Sequence, residues 1–237
     1  MKLTPNPVKS LAQKHHIPVF ETINDYCMTM NDHSMTNTIG LVAAYGKIIP
    51  QEILDKFNGQ IYNIHPSLLP KYRGSSPLQQ QILDGVTETG VTIIQLDALM
   101  DHGPIVAQER DYIGPDDTWI TLGNRLFSLG IDLFLKFLLK PRTYHLEPQD
   151  HSQATYTQKI TRQNGFVEFE KLKNYLDLGI CNLDIARMLR AYEGWPGVWT
   201  LTPAGKRLKL ISLNPEIIIQ PEGKSPVPYS NFHPPVV

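Results

Sequence analysis

Cysteine is scarce in this chain, which has only Cys27 and Cys181 among its 237 residues. Two cysteines cannot build a disulfide-stapled scaffold, and they cannot supply the ligands of a cysteine-rich zinc site. The sequence also lacks an H-E-x-x-H helix, so we expect no metal site. This composition predicts a reduced protein that is located in the cytoplasm.

Long apolar runs are also absent. The longest candidate, Ile131–Leu139, is interrupted by Asp132 and Lys136, and a bilayer span needs about 20 apolar residues. The first 14 residues contain no apolar segment of the kind that a secretory signal carries. The chain has no G-x-G-x-x-G turn, no P-loop and no internal repeat. We therefore expect no membrane partner, and no dinucleotide or P-loop nucleotide site.

Charge of one sign is not in excess, since 22 basic residues face 23 acidic ones. This balance argues against a nucleic-acid module that binds mainly through bulk charge. The distribution is uneven, however, because residues 159–209 hold nine basic and five acidic side chains. Variation on solvated faces is one interpretation of this local excess, and a small basic surface that contacts a polyanion is the other.

What the chain does contain is an alternation of short apolar runs and helical patterns. Hydrophobic residues make up 41% of the sequence, which is enough for a sizeable core. Strands are predicted at Ile17–Phe20, Ile39–Ala44, Ile61–His65, Val91–Leu96, Ile105–Glu109, Val198–Thr202 and Leu208–Leu213. Helices are predicted at Pro7–Lys14, Pro50–Phe57, Pro77–Asp84, Thr118–Lys140 and after a cap at Asn182, whereas Pro221–Pro235 should be extended and irregular. The alternation predicts an α/β fold with a mostly parallel, Rossmann-like sheet.

Two polar side chains stand at the end of a predicted strand. Asn63 and His65 are two residues apart, so both point to the same side of the strand. Pro66 cannot donate a ladder hydrogen bond, so the strand should end there. Ligands bind at this edge in open α/β sheets. A strand-end histidine is nevertheless more often an ordinary hydrogen-bonding residue than a catalyst.

Asp101 is the third candidate for this site. It lies in the run Met100–Pro104, where Gly103 and Pro104 turn the chain back toward the same sheet edge. An amide, an imidazole and a carboxylate would then meet, which suits the attack of an amine on a carbonyl. In this interpretation Asn63 and His65 stabilise the developing oxyanion, and Asp101 raises the pKa of His65 or accepts a proton.

The remaining histidines lack such neighbours. The side chain of His102 should point away from the candidate site, although it is adjacent to Asp101 in sequence. The others are predicted to be ordinary surface residues: His15, His16, His33, His145, His151 and His233.

The runs Asn63–Gly74 and Met100–Pro104 together resemble the catalytic core of the folate-dependent formyltransferases. Further stretches resemble the methionyl-tRNA formyltransferase branch of that family, namely Leu3–Lys9, the interdomain linker Asp150–Thr161, Trp195–Gly197 and Gln220–Lys224. The linker discriminates best, because the catalytic motif is shared with formyltransferases that act on glycinamide ribonucleotide or on sugars. The resemblance covers nearly the whole chain.

The resemblance implies an enzyme that transfers formyl from 10-formyltetrahydrofolate to methionyl initiator tRNA, for translation initiation. It implies a monomer without a metal. The catalytic residues would be Asn63, His65 and Asp101. The folate and its tetrahydrofolate product would contact Ser67, Leu68, Leu69 and Pro70 and, in a looser match, Tyr45, Gly46 and Ile48, while Arg73 could approach the tRNA.

The resemblance also predicts the domain organisation. Residues 1–142 would form a catalytic domain without the strand–helix–strand unit that precedes this region in the family. Residues 143–164 would be a linker, and residues 165–237 a shortened β-rich domain similar to an oligonucleotide-binding fold. Two alternatives remain open: an N-formyltransferase that acts on an amino-sugar nucleotide, or an impaired fragment that binds folate or tRNA without turnover.

Overall fold

The computed structural model describes residues 6–23, 25–26, 38–140, 145–178 and 183–232. Several residues of the sequence analysis lie outside these ranges: Cys27, His33, Cys181, the predicted helix cap Asn182 and His233.

A four-stranded sheet forms the centre of the N-terminal part. In chain order this part contains α1 (Pro7–Lys14), β1 (Gly40–Ala43), α2 (Gln51–Lys56), β2 (Ile61–His65), β3 (Arg73–Gly74), α3 (Pro77–Asp84), β4 (Glu88–Gln95), β5 (Ile105–Tyr112) and α4 (Trp119–Leu139). The sheet order is β1–β2–β4–β5. The predicted helices and four of the five predicted strands are present here, whereas residues 17–20 form no strand.

The α/β prediction is confirmed, but strand direction departs from a mostly parallel sheet. Only β1 and β2 run parallel, whereas β2–β4 and β4–β5 are antiparallel. The chain reverses direction between β2 and β4, so that His65 at the end of β2 lies opposite Thr92 of β4. The turn into β5 is tight, since a Cβ at Gly103 would overlap the carbonyl oxygen of Gln95. Strand–helix alternation indicates neighbours but does not fix their direction.

Helix α4 packs directly on β2 and β4. Its buried residues, including Leu133 and Phe137, join Ile64 and Val91 in one core cluster. A Cβ at Gly130 would lie 2.9 Å from Val91 Cγ2 and closer still to Ile64 Cγ2, so only glycine allows this approach. The packing fixes the position of β2, and therefore the position of the side chains at its carboxyl end.

The C-terminal part is a second, smaller sheet with two helices. It contains α5 (Phe169–Leu178), α6 (Leu183–Ala191), β7 (Val198–Leu201), β8 (Arg207–Ser212), β9 (Ile218–Pro221) and β10 (Val227–Pro228). All its strand pairs are antiparallel, in the order β7–β8–β9–β10. β7 and β8 match the predicted strands. β10 lies in the stretch predicted to be irregular, where Val227 pairs with Ile219.

The two parts touch through helices and through a connecting segment, residues 145–164. Leu78 and Ile82 of α3 share a core cluster with Ala191 and Tyr192 from the C-terminal part. The connecting segment adds β6 (Tyr156–Thr157), which pairs in parallel with β3. In the described ranges, no helix combines the length and apolarity that crossing a bilayer requires.

Candidate active site

Asn63 and His65 lie at the carboxyl end of β2, as their spacing predicts. The His65 side chain is almost completely buried, and its Nε2 lies 2.9 Å from the carbonyl oxygen of Tyr72. A carbonyl can only accept a hydrogen bond, so Nε2 carries the proton and donates it. In neutral His65 the other ring nitrogen, Nδ1, therefore has a free lone pair.

Asp101 is brought to the same place by the β4–β5 turn. Its Oδ1 accepts a hydrogen bond from Asn63 Nδ2 at 3.2 Å and lies 3.6 Å from His65 Nδ1. Its Oδ2 accepts from the backbone N–H of Gly74 at 2.8 Å. The three residues thus converge, and the carboxylate faces the free nitrogen of the imidazole.

Burial dominates the protonation of His65. It lowers the pKa of His65 below the usual value, because an imidazolium in the interior loses its hydration. The negative charge of Asp101 and the hydrogen bond to Tyr72 oppose this shift, whereas the Arg73 charge adds to it. Asp101 does raise the pKa of His65, as expected, but desolvation outweighs the carboxylate, so the pKa stays below its usual value. His65 is neutral at pH 7.

The lowered pKa makes stability depend on pH. Below the unfolded-state pKa of about 6.5, the unfolded chain binds a proton at His65 that the folded protein does not take up. Stability should therefore fall as pH drops through 6.5, until the folded-state pKa is reached. The free energy of unfolding, measured by urea titration between pH 8 and pH 5, should fall more steeply for the wild type than for His65→Gln. Equal slopes would contradict this assignment.

A cavity of about 360 Å³ opens in front of the three residues. Asn63, His65 and Asp101 line it, together with Tyr45 and Ile48 of the opposite loop. Gly46, the third loop residue predicted at the folate site, lines it as well. Lys47 of the same loop also lines the cavity, and further lining residues were not predicted from the sequence, among them Leu78, Leu96, Trp119 and Phe127. Nothing in the local sequence distinguishes these residues from ordinary core or loop positions.

The predicted folate contacts of Ser67–Pro70 need correction. None of these residues lines the cavity, and Ser67 and Leu69 are buried. Instead they bind β4: Thr92 Oγ1 donates to the carbonyl oxygen of Ser67 at 2.6 Å and accepts from Leu69 N–H at 3.1 Å. Buried backbone N–H and C=O groups of this loop need hydrogen-bond partners, and Thr92 of β4 supplies them. The loop therefore packs against β4 and does not contact the cavity.

Arg73 also departs from its prediction. Its side chain is 1% exposed and therefore cannot reach a tRNA. The guanidinium is covered by the connecting segment, where it binds Gln149 and His151. His151 is accordingly no isolated surface residue, since its ring also stacks on His102 at 4.0 Å. His102 does not line the cavity, although its Nδ1 lies 2.6 Å from Oδ2 of Asp97, which does.

The donor set does not resemble a metal centre. Across the part of the chain that the structure describes, no group of three His, Cys, Asp or Glu side chains is arranged to hold a metal ion. The cavity has an apolar wall and three convergent polar groups, which is the usual composition of an organic ligand site. Asn63 can donate to an oxygen, and neutral His65 can accept a proton at Nδ1.

Comparisons with known proteins agree with this architecture. In sequence the chain is 38% identical to the methionyl-tRNA formyltransferase of Pseudothermotoga lettingae, over 89% of this chain and 65% of that protein. It is 39% identical to the enzyme of the same name from Kosmotoga olearia, over 84% of this chain and 62% of that protein. The chain therefore spans less than two thirds of the length of these relatives.

A solved structure shares the fold at low sequence identity. It is an N-formyltransferase from Helicobacter canadensis in complex with folinic acid and dTDP-3-aminofucose, with a TM-score of 0.64 and 21% identity. The match covers 89% of this chain and 77% of that one. The family model for formyl transferases matches residues 7–138, which include β1 to β5, most of α4 and all three convergent polar residues. The chain belongs to the formyl transferase family.

Proposed function

We propose that this chain transfers a formyl group from 10-formyltetrahydrofolate to the amino group of methionyl initiator tRNA, for translation initiation. The convergence of Asn63, His65 and Asp101 on one cavity carries the proposal, because this set suits acyl transfer to an amine. The names of the relatives from Pseudothermotoga and Kosmotoga support the choice of acceptor.

The cavity has the size and lining that part of a folate requires. Its volume of about 360 Å³ lies at the lower end of the range for small-molecule sites. We place the donor against the loop that contains Tyr45, Gly46 and Ile48, so that its formyl group faces the end of β2. Bound there, 10-formyltetrahydrofolate supplies an activated formyl group on nitrogen.

The three residues then divide the work. Asn63 donates a hydrogen bond to the formyl oxygen as negative charge develops on it. His65 was predicted to stabilise the oxyanion, but its Nε2–H is donated to the carbonyl oxygen of Tyr72, so we assign it a different role. It accepts at Nδ1 the proton that the attacking amine gives up, and returns it to the nitrogen that leaves. Asp101, 3.6 Å from Nδ1, stabilises the imidazolium that forms in between. No proton is gained or lost overall, and no metal is needed for these steps.

The proposal extends to organisation and partners. Residues 1–142 form the catalytic unit, 143–164 the linker and 165–237 the C-terminal unit of a cytoplasmic monomer. The basic excess of residues 159–209 would face the phosphates of the tRNA acceptor arm. Tetrahydrofolate leaves as the second product.

An amino-sugar nucleotide is the second candidate acceptor. The fold is shared with the Helicobacter canadensis enzyme, whose structure contains such a nucleotide. A third candidate is a chain that binds folate or tRNA without turnover.

The deciding experiment is a formyl-transfer assay on the purified 237-residue chain with 10-formyltetrahydrofolate. Methionylated initiator tRNA and an amino-sugar nucleotide are offered separately as acceptors. We expect transfer to the tRNA. Transfer to the sugar alone would reassign the acceptor, and binding without transfer to either would favour the third candidate.

A further inference from the structure

The loop that carries Asp101 is held by a glutamine from the connecting segment. Gln149 is buried, and its Nε2 donates to the carbonyl oxygens of Asp101 at 2.9 Å and Gly103 at 2.7 Å. Asp101 has a φ of +48°, a left-handed conformation that is costly for residues other than glycine. Gln149 therefore stabilises the strained main chain on which the Asp101 carboxylate is carried.

Arg73 fixes the orientation of Gln149. Its Nη2 and Nε donate to Gln149 Oε1 at 2.6 and 3.1 Å. A guanidinium has donors only, so the amide oxygen must face Arg73 and both amide hydrogens must face the Asp101 loop. The remaining guanidinium partners, His151 Nδ1 and Tyr156 Oη, belong to the same connecting segment as Gln149.

The backbone beside Arg73 holds the carboxylate itself. Gly74 N–H donates to Asp101 Oδ2 at 2.8 Å, and Arg73 N–H donates to the carbonyl oxygen of Thr155 at 2.8 Å. The dipeptide Arg73–Gly74 therefore holds the side chain of Asp101, and Gln149 holds its main chain. Loss of either should let the carboxylate move away from His65.

We propose that Gln149, oriented by Arg73, is a positioning residue that sets the distance between the Asp101 carboxylate and His65 Nδ1. The inference rests on the proposed formyl transfer, in which Asp101 stabilises the His65 imidazolium. Gln149 touches neither the cavity nor the reacting groups and acts through the main chain of Asp101.

Two variants separate the contacts of Gln149. Gln149→Leu removes all of its hydrogen bonds, whereas Gln149→Glu keeps an acceptor for Arg73 and loses both donors to the loop. We expect each variant to lower kcat by about 100-fold, the usual cost of a displacement near 1 Å, with little change in KM for the folate. The pKa of His65, measured by NMR titration of its imidazole, should fall in Gln149→Leu, because the carboxylate that raises it has moved away.

Gln153→Leu is the matched control. The Gln153 side chain is exposed on the same segment and donates to Asp150 Oδ2, away from the Asp101 loop, so kcat and the His65 pKa should stay at wild-type values. The proposal is overturned if Gln149→Leu keeps the wild-type His65 pKa, or if Gln149→Glu folds and keeps the wild-type kcat. If the wild-type chain transfers no formyl group, the proposed function fails, and the His65 pKa alone decides the role of Gln149.

Discussion

His65→Ala should lower kcat for formyl transfer by about 10² to 10⁴-fold, the range that a positioned acid–base group contributes. The variant removes the only imidazole that lines the cavity in the described part of the chain. Folate binding should change little, because we place the donor against the loop with Tyr45 and Ile48. Single-turnover transfer measures the first quantity, and the Kd for the folate measures the second.

The loss must be separated from a folding defect, since His65 is buried and alanine leaves a gap. His65→Gln keeps most of the volume and should lose turnover as well. His145→Ala, at an exposed histidine outside the cavity, should behave like the wild type. Wild-type turnover in a folded His65 variant would refute the assigned role.

Asp101→Asn should lower kcat by about 100-fold, the lower end of what acid–base assistance contributes, and should shift the pH profile. The negative charge of Asp101 raises the pKa of His65, so its removal lets burial lower that pKa further. Because His65 works in its neutral form, activity falls on the acidic side as His65 becomes protonated. The acidic limb of kcat/KM should therefore lie at lower pH in Asp101→Asn than in the wild type.

Asp132→Asn is the comparison for this profile. Asp132 is exposed on α4 and does not line the cavity, so the variant loses the same charge away from His65. Its acidic limb should stay where the wild type has it. An unshifted limb in Asp101→Asn would mean that the carboxylate does not act through the charge on His65.

The central strands and the three convergent residues could be predicted because their signals are local. The two-residue spacing of Asn63 and His65 fixes their common side, and Pro66 fixes the strand end. Gly103 and Pro104 indicate the reversal that returns Asp101 to this edge. The apolar run at residues 39–44 likewise predicts the strand β1, but it would suit a strand covered on both faces, and alternate residues of β1, Leu41 among them, are exposed.

What could not be predicted depends on partners far along the chain. The direction of the Arg73 side chain is set by Gln149, 76 residues later, and Ser67 is buried because Thr92 binds its carbonyl. β10 has only two residues and forms because Ile219 offers it an edge. These pairings join residues that are far apart in the sequence, so no pattern within a few consecutive residues predicts them.

The pairing of β3 with β6 determines where the catalytic region of this protein can be joined to another chain in a chimera. The family-matched region ends at residue 138 and carries all three convergent residues, yet Gln149, Thr155 and Thr157 lie beyond it. A chimera joined at the end of α4 would therefore contain the three convergent residues without the contacts from Gln149, Thr155 and Thr157 that position them. A chimera should instead be joined after residue 157, where the last backbone and hydroxyl contacts to β3 are complete.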